Sequence, residues 1–402
     1  MRFTDTLPQP PADMLQHSGM LADQIRAVIH QQGGSISFRE FMRMALYEPG
    51  LGYYVSGMRK IGAGGDFITA PEISSLFSAC LANQCAQVLT ELGGGDILEL
   101  GAGSGRMAVD ILSHLETTGC LPERYLILDV SPELRDRQRQ NLQTHVPHLL
   151  ARVSWLDSLP EQPLRGVIVG NEVLDAMPVE LFSLNNEQLT IVGVKIQEDG
   201  FAFAEQPTTD STIAELATFQ AEVLQPALQQ SGWPAYPSPY TSEFNPALSG
   251  WMRSIADTLQ AGVILLIDYG YEQSDYYHPQ RSQGTLICHY QHRVHDNPLI
   301  YPGLQDITAS VDFTAVAQAG VQSDLELSGY TTQAAFLADN GLEALFIHAL
   351  QQQPADQYKL AQQVRLLSLP AEMGERFKVI AFSKAFTPAL QGFRLADRSH
   401  RL

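Results

Sequence analysis

The sequence predicts an α/β fold with a mostly parallel sheet covered by helices on both faces. From residue 95 onward, short apolar runs alternate with helical segments: DILEL at 96–100, YLILDV at 125–130, RVSWL at 152–156, GVIVG at 166–170 and VILLID at 263–268. Strands buried on both faces are apolar throughout, and their alternation with helices is the mark of a parallel sheet. The first of these strands runs straight into a glycine-rich turn, GAGSG, and then into helical spacing. Open α/β sheets bind their ligands at such strand–turn–helix units. Near the C-terminus, DLELSGYTT and ERFKVIAFSK supply a final pair, bringing the sheet to seven strands.

Ahead of the sheet, MLADQIRAVIHQ has helical spacing, and Ser37 is placed to cap a second helix carrying Phe38, Phe41, Met42 and Ala45 on one face. The stretch from Pro49 to Glu72 holds too much glycine and proline for a regular element, so residues 1–90 read as a helical region ending in a long glycine-rich loop. Residues 91–402 form the sheet domain. Two excursions interrupt it. The first, at about 176–258, begins as a hairpin over LTIVGVKIQEDGFAFAEQ, turning at Asp199-Gly200, and continues as a helix at 210–229 and a proline-rich loop. The second, 271–322, is polar and rich in His and Tyr.

Composition narrows the function. The net charge of -19 repels phosphate backbones, and no stretch concentrates Lys and Arg enough to overturn that, so nucleic acid is excluded as a partner. The longest apolar run, AGVILLI, is far too short for membrane insertion. Cys80, Cys85, Cys120 and Cys288 contain no CxxC pair, which suits reduced thiols, and the first residues read as no targeting signal; both point to the cytoplasm. His289, His292 and His295 lack a second anchoring cluster, so no metal is expected.

The glycine turn suggests the ligand. Gly101, Gly103 and Gly105 stand in a G-x-G-x-G order, and Glu99 precedes them by two residues. A carboxylate there repels a pyrophosphate but suits the ammonium and sulfonium of S-adenosylmethionine. Asp129 ends the second strand, where a carboxylate can accept both ribose hydroxyls, and Asp157 ends the third, within reach of an adenine amino group. The fourth strand ends in GNEVLDAMPVELF, which brings Asn171 and Glu172 to the same sheet edge with Asp175 a turn further on.

GDFITAPEIS, ELGAGSG, NEVLDAMPV, IDYGY and HRVHDNPLIYPGLQDITASVDF, in that order from about residue 35 to residue 315, resemble the MidA-like S-adenosylmethionine-dependent methyltransferases. The resemblance implies a Rossmann-like class I methyltransferase fold with an elaborated substrate region. Mitochondrial members assist assembly of respiratory complex I by dimethylating an arginine of one subunit. The start of this chain does not look like a presequence, which points to a bacterial relative.

An arginine acceptor needs carboxylates to hold the guanidinium fork and localise its charge. Glu172, Asp175 and Asp268 are the catalytic candidates, with Glu172 and Asp268 expected to flank the reacting group. Glu243, Tyr269 and His295 are expected on the substrate side. Asp66 and Thr69 of the glycine-rich loop, with Glu72, are expected to fold over the cofactor or the entering substrate. A small-molecule acceptor, or an assembly protein that keeps the cofactor fold as a scaffold, are the alternatives.

Overall fold

A computed structural model describes residues 7–56, 69–198, 200–207 and 209–402. Its main sheet has seven long strands, β1 to β7 in chain order: Asp96–Leu100, Tyr125–Leu128, Val153–Leu156, Leu164–Asn171, Leu259–Tyr271, Glu326–Thr332 and Phe377–Lys384. Their spatial order is β6-β7-β5-β4-β1-β2-β3. β3, β2, β1, β4 and β5 are mutually parallel, and β7 runs antiparallel between β5 and β6. A two-residue strand, Val311–Asp312, adds itself in parallel to the end of β5. The expected class therefore forms, with its one antiparallel insertion at the final pair.

β1 is buried at all five positions, as a strand covered on both faces must be. One apolar cluster lies on the side of helices Ser75–Leu92 and Arg106–Thr117, and the opposite one on the side of Leu248–Thr258 and Phe313–Val321. Ser74 caps the first of these helices through its hydroxyl, and Gly93, in left-handed conformation, ends it.

The first excursion builds a second, antiparallel sheet in which Gln188–Gln197 pairs with Glu180–Asn185 and with Gly200–Glu205, the expected hairpin. Asp199 of its turn lies outside the described residues. Ser35–Ser37, from the N-terminal region, joins the same sheet as an edge strand against Gly193–Lys195. The helices Ala12–Gln31 and Phe38–Tyr47 share an apolar core with that sheet and with residues of the second excursion. Ser37 accepts the Glu40 N–H, capping the second of them as its sequence suggested. The helix expected at 210–229 runs over Asp210–Ser231 with one π turn at Gln220–Leu224. The second excursion folds as a small three-stranded sheet, Ile287–Tyr290, Arg293–His295 and Asp306–Thr308.

Candidate active site

Strand order reverses between β1 and β4, and a crevice opens there at the carboxyl ends of the strands. A cavity of about 500 Å³ fills it, lined by the turn after β1, the ends of β2 and β4, Thr69 and Glu72, and the aromatic rings of Tyr47, Tyr54 and Trp251.

The glycine turn forms one wall. Gly101, Gly103 and Gly105 have φ of 64°, 52° and 81°, in the left-handed region that side chains avoid. A β-carbon on Gly101 would stand 3.0 Å from Val173 Cγ1, and one on Gly105 2.9 Å from the Gln138 backbone. Glu99 reaches the cavity from inside β1, where the Tyr125 hydroxyl donates to its Oε2 at 2.7 Å. Burial pushes its carboxyl up to about 7, against the pull of that bond.

Asp129 stands opposite, at the end of β2. It accepts the Ser131 N–H at 2.9 Å and the Gln138 side-chain amide at 2.8 Å. Burial raises its pKa, with both bonds opposing the rise. The same Gln138 amide donates to the Gly103 carbonyl at 3.0 Å, while its oxygen accepts from the Trp155 indole at 2.8 Å. One glutamine thus ties the turn, the ribose-side acid and β3 together. Asp157 is placed differently: its carboxylate is 94% exposed, pairs with Arg135 at 2.6 Å and does not line the cavity.

The other end of the cavity is acidic. Glu172 follows β4 with a φ of 52°, a strained conformation for a residue bearing a side chain, fixed by its N–H donating to the Ile267 carbonyl at 2.8 Å. Its partial exposure is toward the cavity it lines. The Asn171 amide donates to Glu172 Oε1 at 3.0 Å, which leaves Asn171 Oδ1 buried without a partner. Burial, with Asp175 adding, pushes Glu172 up to about 8, and burial pushes Asp175 up to about 6 against a bond from Tyr269. The Tyr269 hydroxyl is also 2.6 Å from Thr308 Oγ1.

Five predicted residues stand behind this surface rather than on it: Asp175 and Tyr269, and with them Asp268, Glu243 and His295. Asp268, fully buried, accepts the backbone N–H groups of Leu174 (3.0 Å), Asp175 (3.2 Å) and Tyr269 (2.9 Å). It braces the turn that carries Glu172 instead of flanking the cavity. Glu243 accepts the Tyr276 hydroxyl at 3.0 Å and the Thr285 N–H at 2.8 Å, joining the two excursions away from the cavity. His295 is buried in the small sheet, accepts the Asn297 N–H at 3.3 Å, and is held below its ordinary pKa by desolvation. Of the glycine-rich loop, Thr69 and Glu72 line the cavity, Glu72 accepting the Ser104 hydroxyl; Asp66 lies outside the described residues.

A family model described as "Putative S-adenosyl-L-methionine-dependent methyltransferase" matches residues 80–331, more than half of the chain. The chain belongs to this methyltransferase family. A crystal structure of a Burkholderia thailandensis protein bound to S-adenosyl-homocysteine is 42% identical, covers 99% of this chain and 100% of its own, and superposes with a TM-score of 0.91. The mitochondrial protein arginine methyltransferase NDUFAF7 of Danio rerio is 29% identical over 91% of this chain and 86% of its own length. Its Drosophila melanogaster homologue is 29% identical over 93% and 87%.

S-adenosylmethionine is the cofactor of this methyltransferase, and the cavity fits it. The positive-φ glycines let the backbone approach the methionine portion, Glu99 suits an ammonium, and Asp129 suits the ribose. Val130, Leu134, Leu159, Trp251 and Ile255 give an apolar wall for the adenine.

Sequence reading missed Gln138, Trp251, Tyr47, Tyr54 and Asp306. Tyr47 follows the apolar face of its helix, Tyr54 falls in the stretch read as a glycine-rich loop, and Asp306 stands in a quoted motif that assigned it no role. The signal that would have found them is the same: polar tips on residues that helical or strand spacing turns inward.

Proposed function

We propose that this methyltransferase methylates an arginine side chain of a protein. The observation that carries the reading is the acidic end of the cavity, where Glu172 lines the wall and the buried carboxylates of Asp175, Asp268 and Asp306 stand behind it. Buried like charges are costly unless a cation answers them, and a guanidinium is the cation whose five N–H donors suit such a wall. The relatives named as protein arginine methyltransferases support the choice of acceptor.

When bound, S-adenosylmethionine supplies a methyl carbon activated by its sulfonium: an N–C bond forms from the nitrogen lone pair, the S–C pair returns to sulfur, and S-adenosylhomocysteine leaves. The chain's residues align and exchange protons. Glu172, its pKa raised to about 8, accepts in its ionised form the proton that the guanidinium nitrogen sheds, so the product keeps a single positive charge. Asn171 orients Glu172 through the 3.0 Å bond, and Asp268 fixes the turn beneath both. Asp175, buried behind the lining, adds to the negative field at this end.

We further propose a reducing compartment such as the bacterial cytoplasm, which four free cysteines support. No helix among the described residues is long and apolar enough to cross a membrane.

The test is transfer of labelled methyl from S-adenosylmethionine into a lysate of cells lacking the enzyme. A labelled protein band is expected. Label confined to a small metabolite selects a small-molecule acceptor, and binding of the cofactor with no acceptor at all selects a scaffold role.

A further inference from the structure

We propose that Tyr47 and Tyr54, the latter held by Asp306, form the subsite that receives the acceptor's guanidinium group. The inference rests on the arginine reading above and assigns that cation its seat.

Both rings line the cavity. They stack at 5.4 Å between centroids with an interplanar angle of 25°. Each hydroxyl has already spent its proton: Tyr47 donates to the Ala176 carbonyl at 3.0 Å, and Tyr54 donates to Asp306 Oδ1 at 2.8 Å. What each hydroxyl has left to offer is therefore lone pairs. Asn171 is in the same condition, its amide committed to Glu172 and its Oδ1 buried without a partner.

The residues lining this end, Tyr47, Tyr54, Asn171 and Glu172, consequently carry acceptors: two phenolic oxygens, an amide oxygen and, once ionised, the Glu172 carboxylate. A ligand rich in N–H donors and lacking acceptors complements that set, and a guanidinium is such a group. Its planarity adds a second match, because a delocalised, weakly hydrated cation stacks flat on an aromatic face better than a compact, strongly hydrated ammonium. Asp306 and Asp175 act on both phenols, so the field behind the rings is negative. Burial and those charges hold the phenols above their ordinary range, which keeps the protons that make the two anchoring bonds.

The wall is assembled from distant segments. Tyr47 ends the helix Phe38–Tyr47, Tyr54 lies in the turn Tyr53–Val55, Ala176 follows β4, and Asp306 opens the strand Asp306–Thr308 of the second excursion. The N-terminal region and that excursion therefore meet at the acceptor end, which gives both a task in substrate choice. Asp306 does not line the cavity and acts through Tyr54, as a positioning residue.

The experiment is calorimetry of the full chain saturated with S-adenosylhomocysteine, titrated with N-acetyl-arginine amide, its neutral citrulline isostere and N-acetyl-lysine amide. Wild type is expected to bind the arginine probe at least about tenfold tighter than either comparator. Tyr54→Leu and Asp306→Ala are expected to weaken the arginine probe about tenfold while leaving S-adenosylhomocysteine binding within about twofold. Asp306→Asn retains an oxygen for the Tyr54 hydroxyl and is expected to recover most of the loss. Tyr54→Phe, which removes only the hydroxyl, serves if the larger changes prevent folding, and is expected to weaken the probe by a smaller factor. Undiminished arginine binding in Tyr54→Leu, or in Tyr54→Phe where Tyr54→Leu does not fold, overturns the subsite and leaves the arginine reading standing. No preference of the wild type for arginine over citrulline overturns both.

Discussion

Asp268 Oδ2 accepts the backbone N–H of Leu174 at 3.0 Å, across the gap between β5 and the turn that follows β4. The same carboxylate also serves Asp175 and Tyr269. A fully buried acid thereby sets the backbone from which Glu172 and Asp175 project, and its role is mechanical support for the acidic end of the cavity.

Asp268→Ala is expected to destabilise the protein by about 2 kcal/mol or more, because buried backbone donors lose their acceptor. Asp268→Asn keeps an acceptor oxygen and is expected to retain most of the stability. Denaturant unfolding of both variants, with transfer activity measured beside it, checks this. Equal stability of Asp268→Ala and wild type would show that the turn holds itself.

The two strand-end acids should behave oppositely toward the cofactor. Asp129→Ala is expected to raise the dissociation constant of S-adenosylhomocysteine about thirtyfold, on the order of 2 kcal/mol for lost bonds to an ionised group. Asp157→Ala is expected to change it by less than about threefold, since an exposed pair such as Asp157–Arg135 contributes little. Calorimetry on the two variants decides, and a large effect at Asp157 would mean that the cofactor reaches past the cavity lining.

Gly101→Ala combines a left-handed φ with a new β-carbon 3.0 Å from Val173 Cγ1. Cofactor affinity is expected to fall about tenfold, with about 1 kcal/mol of backbone strain. Adding Val173→Ala should return part of the loss, because it removes the steric share and leaves the strain. A double-mutant cycle in binding separates the two, and no recovery would assign the whole effect to φ.

Glu99, Glu172 and Asp175 have raised pKa values, so the ligand-free fold favours their protonated forms. Between the ordinary carboxyl range and about 8, the value for Glu172, the unfolded chain is ionised while the native site still binds protons. Stability therefore falls as pH rises through that window and levels off above it. The melting temperature should drop by about 5 °C from pH 5 to pH 8.5, and Glu172→Gln should flatten the upper part of the curve. Transfer should run the other way, rising with pH as Glu172 becomes able to accept a proton, and Glu172→Gln should lose that limb. A melting temperature that climbs with pH would contradict the assignment.

The cofactor end was legible in the sequence because its parts are local. Glu99, Gly101, Gly103 and Gly105 lie within seven residues, and Asp129 and Asn171 are fixed by strand ends that apolar runs announce. Asp157 misled because a strand end locates the backbone, not the direction of the side chain; Arg135, at the start of the preceding helix, draws the carboxylate outward. Asp268 misled for the same reason, since β5 continues to Tyr271 and carries the acid inside the sheet, under the turn. The acceptor wall was illegible for a different cause. Tyr54 and Asp306 are separated by 252 residues, and their hydrogen bond exists only after the N-terminal helices and the second excursion pack together. Tyr54 stands in a glycine-rich stretch and Asp306 in a polar excursion, so neither polar tip stands out until its partner arrives.

The most direct test is the chemical identity of the modified residue. Protein labelled by the enzyme with methyl from S-adenosylmethionine is hydrolysed to amino acids and resolved against authentic methylated standards. Label in methylated arginine is the predicted result, and it should vanish with Glu172→Gln. Label in methyl-lysine, methyl-glutamine or a carboxyl ester, with none in arginine, would contradict the reading of the acidic cavity as a guanidinium site.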